Sequence, residues 1–465
     1  MIDLQEARPD TGRDRALMPL IRALYPYAIG CCSPDNEPFF ARVQQELPLT
    51  LLRFPSDQTY NGWVVPKLWS VQKASIYRDG VEIFDGTCHP MAVGTYSKSF
   101  QGELDWDELQ RFLVTKESMP SAHVYHCMWQ YRPWSAEWAL CVPFETYSKM
   151  GPGRYRVDLQ TRYEQGAMIV GEYEKRGRSE RTIVFNAHTC HPRQVNDDLA
   201  GVVVLIRLFQ WLQTQDTYYT YRLVLAPEHV GTVFYMRDRS PEDIGRLVAG
   251  AFSEMPGTDG PIKIASTFLG NQPIDQAFRN AVRHGAEAYT EVGWREGAGN
   301  DETVWEAPGY EVPFVQVSRC LEQFDPYPEY HTSLDTPELM VEARLNEFYA
   351  VFQRVVQTLE RNAVLRRHFN GLICLSNPQY QLYRERPDPS VVKHLDADAE
   401  KWGHLLDSLF RYFDGRTTIL EIAEKHDLPF DELYRYLKKF EDKELVTFEF
   451  SPIERVPVSA MEPRP

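Results

Sequence analysis

RTIVFNAHTCHPRQVNDDLAGVVVLIRLFQWLQTQDTYYTYRLVLAPEHVGT, residues 181–232, decides how this chain is built. Its flanks, RTIVFNAHTC (181–190) and YRLVLAP (221–227), are short and nearly all apolar, the composition of strands covered on both faces. Between them GVVVLIRLFQWLQTQ (201–215) carries apolar residues at helical spacing. Strand, helix, strand in that order predicts a sheet with crossover helices, so the central domain is α/β.

In open α/β sheets the loops beyond the carboxyl ends of the strands hold the ligands. HPRQVNDDLAG follows the first strand and PEHVGT the second. Further on, GAGNDETVW (297–305) precedes the apolar stretch PGYEVPFVQVSR (308–319), and CLEQFDPYPEYHTSLDT (320–336) follows it. Four loops thus supply His, Asp, Glu, Asp and His. A zinc hydrolase needs neutral imidazoles and carboxylates converging around an open position for water. The expected ligands are His191, Asp197, Asp301 and His331, with a carboxylate at Glu228.

The setting of these residues resembles the co-catalytic zinc aminopeptidase family. NDDLAG followed by a helix is similar to the loop whose Asp bridges two metals, which implies that role for Asp197; GNDETVW implies Asp301 as the next ligand and YHTSLDT implies His331. A closer resemblance is to a group of bacterial aminopeptidase-like proteins with CHP, NDNLSG, PETIGS, SDE and PEYHTS motifs. Here they read Cys190-His191-Pro192, NDDLAG (196–201), PEHVGT (227–232), NDE (300–302) and PEYHTS (328–333). That group implies a zinc-exopeptidase-like mixed sheet flanked by helices, an inserted β-rich domain and a C-terminal winged helix. The expected units are residues 1–60 with 120–385, residues 61–119, and residues 395–452.

Two departures from the better-known aminopeptidases bear on the chemistry. The first loop lacks the acid that orients its histidine: His188-Thr189-Cys190 stands there, and His191 is preferred as ligand because it matches CHP, leaving His188 to shape the substrate pocket or hydrogen-bond a loop. The acidic pair of the second loop has become Pro227-Glu228, followed by His229, so Glu228 is either the base or the ligand of a second metal, and His229 either replaces a ligand or faces substrate. Glu302 is either an alternative base or a group that binds a substrate amine. Arg319, twelve residues before His331, can grip a substrate carboxylate, and Asp335 is expected to orient His331 through a hydrogen bond. One or two zinc ions are expected, with manganese and cobalt as other candidates.

The rest of the sequence bounds the reading. At 465 residues the chain exceeds one core. Its net charge of -16 and lack of a Lys/Arg block argue against nucleic acid as a partner. The opening MIDLQEARPDTGRDRALMPL shows no basic start followed by an apolar run, no stretch is long and apolar enough for a membrane span, and eight dispersed cysteines without CxxC spacing read as reduced thiols. A cytoplasmic protein is expected; a homo-oligomer is left open.

Gly12 to Leu24 reads as a helix, and WVVPKLWSVQKASIYRDGVEIFDG (63–86) as strands turning at Asp79-Gly80. WGHLLDSLFRYFDGRTTILEIAEKHDLPFDELYRYLKKFEDKELVTFEF (402–450) reads as three short helices and a closing strand pair, a winged-helix order. Its third helix balances acids against bases, which favours a protein-contact or structural role over DNA. The expected reaction is hydrolysis of an amide bond in a small peptide-like or aminoacyl substrate. Rival readings are a catalytically impaired binding or regulatory protein acting through the winged helix, and metal-dependent acyl transfer or cyclisation.

Overall fold

The computed structural model describes residues 16–322, 326–384 and 397–455. Eight strands form the central mixed sheet: β1 (Thr50–Pro55), β2 (Ala167–Lys175), β3 (Thr182–His188), β4 (Thr220–Ala226), β5 (Leu247–Glu254), β6 (Ile262–Ala265), β7 (Tyr289–Val292) and β8 (Phe314–Ser318). Their order is β1-β2-β4-β3-β5-β8-β6-β7. The inner four, β4-β3-β5-β8, are mutually parallel, whereas β1, β2 and β6 join antiparallel. Every residue of β3, β4 and β5 is buried, the reason these segments read as unbroken apolar runs.

Strand alternation splits β3 between two cores. Ile183, Phe185 and Ala187 join the core of helix α1 (Ala200–Leu212) and the later helix Glu342–Leu359. Val184 joins the opposite core with Phe234, Trp305 and Phe314. Asn186 and His188 share the Val184 parity, and Asn186 accepts a hydrogen bond from the Trp305 indole at 2.9 Å.

A four-stranded antiparallel sheet sits beside this core, in the order Val81–Asp85, Leu68–Arg78, Arg154–Glu164, Phe100–Asp105. Its hairpin turns at Asp79 and Gly80, both at positive φ (52° and 79°), as the dipeptide implied. The expected insertion of 61–119 stops short of this sheet. The strand 154–164 pairs along the whole of 68–78, and Trp138, Leu140 and Val142 enter the same small core. A pairing between strands some eighty positions apart has no local signature.

At the C-terminal end, helices Ala397–Ser408, Ile419–His426 and Phe430–Glu441 pack on a three-stranded sheet. The expected closing strand pair is corrected: one strand, Val446–Phe450, follows the third helix, and its partner is Ala363–Arg367, far upstream. Asp414–Thr418 pairs with the other edge of Ala363–Arg367. The first expected helix begins at Leu17, and positions 12–15 lie outside the described residues, as do 395 and 396. Among the described residues no helix is long and apolar enough to cross a membrane.

Candidate metal centre

His188 is the last residue of β3, and the chain then passes Cys190 and His191 to reach Asp197, in the irregular turn Val195–Leu199 that leads into α1. Asp197 is almost wholly buried, and three imidazoles surround its carboxylate. His188 Nε2 lies 3.0 Å from Oδ1, while His191 Nδ1 and His331 Nε2 each lie 3.2 Å from Oδ2. The structure therefore brings His188 and His191 together at one carboxylate. The preference for one over the other, with His188 relegated to shaping the pocket, is corrected: the His188 side chain has no exposed surface.

Asp335 holds this loop from behind, accepting from the Asn196 N–H at 2.8 Å, the Asp197 N–H at 3.2 Å and the Tyr327 hydroxyl at 2.8 Å. Burial pushes its carboxyl up to about 7. The expected Asp335 to His331 hydrogen bond is not made among the described residues, because both Asp335 oxygens face the Asp197 loop. His331 is held otherwise: its carbonyl accepts from the Tyr125 N–H at 2.8 Å, and its ring stacks on Tyr330 at 3.9 Å.

Glu254, the last residue of β5, completes the cluster and was missed in the sequence. Its Oε1 lies 3.7 Å from His188 Nε2. The Asn300 side-chain amide donates to Oε1 and the Gln316 amide to Oε2, each at 2.8 Å. The strand-end rule applied to LVAGAFSE (247–254) points to this residue as plainly as it did to the others.

Two acids expected at the metal stand behind it. Asp301 accepts from the His229 N–H at 2.5 Å through one oxygen and from the Thr232 hydroxyl through the other, so its carboxylate is spent on anchoring the Glu228-His229 turn. Glu302 accepts from the Asn300 N–H at 2.7 Å and pairs with Arg295 at 3.0 Å. It is 1% exposed and braces Asn300, which in turn holds Glu254. Neither the ligand role of Asp301 nor the base role of Glu302 fits these positions. Arg319 is also corrected: it is 2% exposed, pairs with Glu347 and donates to the Gly260 carbonyl, so a substrate carboxylate does not reach it.

Glu228 lies between the cluster and solvent. Its Oε2 sits 3.7 Å from His191 Nε2 and accepts from the Tyr131 hydroxyl at 2.8 Å, while Oε1 lies 3.4 Å from His229 Nδ1. Burial opposes charge on both partners, but their contact prevails. Glu228 is held well below the usual carboxylate range, and His229 is raised to about 9. The two open into a cavity of about 480 Å³ walled by Trp63, Met128, Tyr131 and Trp134. The Trp63 and His229 rings lie parallel, within 6°. Tyr131 and the tryptophans gave no sequence signal, since an aromatic residue in an irregular loop carries no periodicity.

The donor set suits a metal ion. His191, Asp197 and His331 form one ligand-spaced group; His188, Asp197 and Glu254 form another, and Asp197 belongs to both. Nε2 of all three histidines and Oδ2 of Asp197 are buried without a hydrogen-bond partner among the described residues, and such orphaned atoms are costly unless something coordinates them. Burial disfavours charge on His188 and His191, yet Asp197 outweighs it and holds both well above the usual imidazole range. The cluster attracts positive charge.

Comparison with known proteins agrees with this architecture. A protein of Clostridium acetobutylicum, named for polysaccharide biosynthesis and an aminopeptidase-like domain, is 26% identical over 434 residues, 90% of this chain and 94% of that one. A crystal structure from the same organism, described as a peptidase, superposes with a TM-score of 0.76 at 22% identity, covering 93% of this chain and 96% of the other. BSAP, a zinc aminopeptidase from Bacillus subtilis, gives a TM-score of 0.55 at 10% identity over 73% of this chain and 93% of its own, so the mixed α/β fold is similar to an aminopeptidase fold. The family described as a domain of unknown function, DUF4910, matches residues 18–362, about three quarters of the sequence, and the chain belongs to that family.

Proposed function

We propose that this protein is a metal-dependent hydrolase that cleaves an amide bond in a small peptide-like or aminoacyl substrate. The observation that carries the reading is Asp197, a buried carboxylate shared by two ligand-spaced groups and flanked by imidazole nitrogens with no other partner. His188 and Glu254 would hold a cation on one side of it, His191 and His331 on the other. A divalent ion bound there supplies Lewis acidity toward the scissile carbonyl. Glu228 takes the proton of the attacking water and delivers it to the leaving amine. Its hydrogen bond from Tyr131 fixes the carboxylate toward the cavity, and His229 keeps it ionised. Asp301 positions this turn without touching substrate.

The aromatic cavity over Glu228 suits a compact substrate with an apolar group. The name of the Clostridium relative supports an amide carried on a biosynthetic intermediate. The C-terminal unit is read as a winged helix in protein contact, supported by its helix order and its balanced third helix. Metal analysis of the purified protein, with a screen of aminoacyl anilides and N-acyl amino sugars, tests the reading. One or two equivalents of zinc, manganese or cobalt and turnover lost in His331→Ala are expected; a protein that neither retains nor takes up these ions refutes it.

A further inference from the structure

A second apolar cavity lies away from the one beside the metal cluster. It has a volume of about 470 Å³ and lies among Val248, Ile274, Pro313, Ile453, Trp294 and Glu306. Val248 is the second residue of β5 and Glu254 its last, so the six-residue rise between them separates the cavity from the metal cluster by roughly 20 Å. The cavity is at the amino ends of the parallel strands, away from Glu228. A volume of this size accommodates a small organic molecule.

Its charged walls are unevenly satisfied. Glu454 is paired with Arg181 at 2.7 Å. Arg455 donates to the Ile244 carbonyl through one nitrogen, while its Nε and Nη2 are buried without partners among the described residues. Glu306 differs. Its Oε1 accepts from the Phe268 and Phe314 N–H groups at 2.9 and 3.0 Å, but among the described residues Oε2 has no donor and the carboxylate has no cationic partner. Burial, with Asp275 and Glu302 as the neighbouring charges, pushes this carboxyl up to about 7. The wall also presents the Trp294 indole, whose N–H is buried without an acceptor among the described residues. Phe268, 64% exposed, meets the Trp294 ring edge-on at 5.2 Å and forms the rim.

An apolar chamber with one uncompensated carboxylate, one free indole donor and the unpaired Arg455 N–H groups calls for a cation at one point and an acceptor at another. We propose that this cavity is a second ligand site, distinct from the metal centre, that binds a small aromatic or aliphatic amine carrying a hydrogen-bond acceptor. The ammonium meets Glu306, the apolar body fills the chamber and the acceptor faces Trp294. A ligand without a cationic group, anionic or neutral, leaves the Glu306 carboxylate desolvated and unpaired.

Titration calorimetry at pH 8 with three probes of one skeleton tests this: 5-methoxytryptamine, its alcohol analogue 5-methoxytryptophol, and 5-methoxyindole-3-acetate. The amine is expected to bind at least about tenfold more tightly than either analogue, the equivalent of about 1.4 kcal/mol. Glu306→Gln keeps an acceptor oxygen for Phe268 and Phe314, and should bring the amine to within about threefold of the alcohol. Ala307→Trp should abolish binding of all three by filling the chamber. Equal affinity for the three probes, no binding of the amine, or an unchanged amine preference in Glu306→Gln overturns the proposal. His331→Ala, which disables the metal cluster, should leave amine binding intact; its loss there would place the amine at the metal centre and overturn the assignment. This readout does not depend on hydrolysis, so it stands or falls apart from the proposed activity.

Discussion

Replacing Asn300 with alanine removes two hydrogen bonds, the 2.8 Å donation from its side-chain amide to Glu254 Oε1 and the 2.9 Å bond its Oδ1 accepts from the Asp301 N–H, and the first is the one that reaches a metal ligand. Glu254 keeps its Gln316 donor, so the carboxylate remains in place but is less firmly oriented. A hydrogen bond to a charged group is worth about 1.5–3 kcal/mol. At about 1.4 kcal/mol per decade, metal affinity should fall by about tenfold to a hundredfold, the range in which removal of groups that orient metal ligands generally falls. Zinc titration in competition with a chromophoric chelator measures it. Asp301→Asn is the contrasting variant. Asp301 spends both oxygens on the His229 N–H and the Thr232 hydroxyl, so its loss should displace the Glu228 turn and lower kcat while zinc affinity stays within about threefold. If Asp301→Asn lost an equivalent of metal while Asn300→Ala and Glu254→Ala retained full stoichiometry, the assignment of Glu254 over Asp301 would be wrong.

Tyr131→Phe removes a donor that favours the ionised form of Glu228, so the carboxyl pKa rises and the acid limb of the pH–rate profile should move upward by about one unit; an unmoved limb separates Tyr131 from the base. Arg319→Ala leaves Glu347 without its buried partner and should cost about 3 kcal/mol in denaturant unfolding, with KM unchanged for substrates bearing a free carboxylate; a raised KM would restore the substrate role. Glu306 is raised in the folded protein, to about 7, above its unfolded value. The stability tied to its protonated form is therefore complete below the unfolded pKa and is lost as pH climbs through about 7. Glu306→Gln should flatten that loss, visible as a smaller fall in Tm between pH 5 and pH 8.5, and an identical fall in both proteins counts against the assignment.

The sequence by itself determined the α/β core and most of the candidate centre. Buried strands must be apolar through their whole length, and a crossover helix must carry an apolar stripe, so residues 181–232 spell out their own arrangement. Parallel strands also end on a common edge, so scanning strand ends located His188, His191, Asp197, Glu228 and His331 with no distance known. Glu254 was legible by the same rule and was overlooked because its strand had not been identified.

Tertiary structure alone decided which acids face the cluster. Asp301 and Glu302 lie in a motif that looks like a ligand loop, yet their oxygens are taken by the His229 and Asn300 N–H groups, and hydrogen-bond partners from distant segments are not encoded in spacing. Arg319 and Asp335 changed roles for the same reason, each captured by a group far along the chain or across a loop. The strand 154–164 was placed beside 68–78, and Ala363–Arg367 between two C-terminal strands, by pairings whose hydrogen bonds run between backbones. Backbone amides are chemically alike in every residue but proline, so their choice of partner is settled only when the whole chain packs.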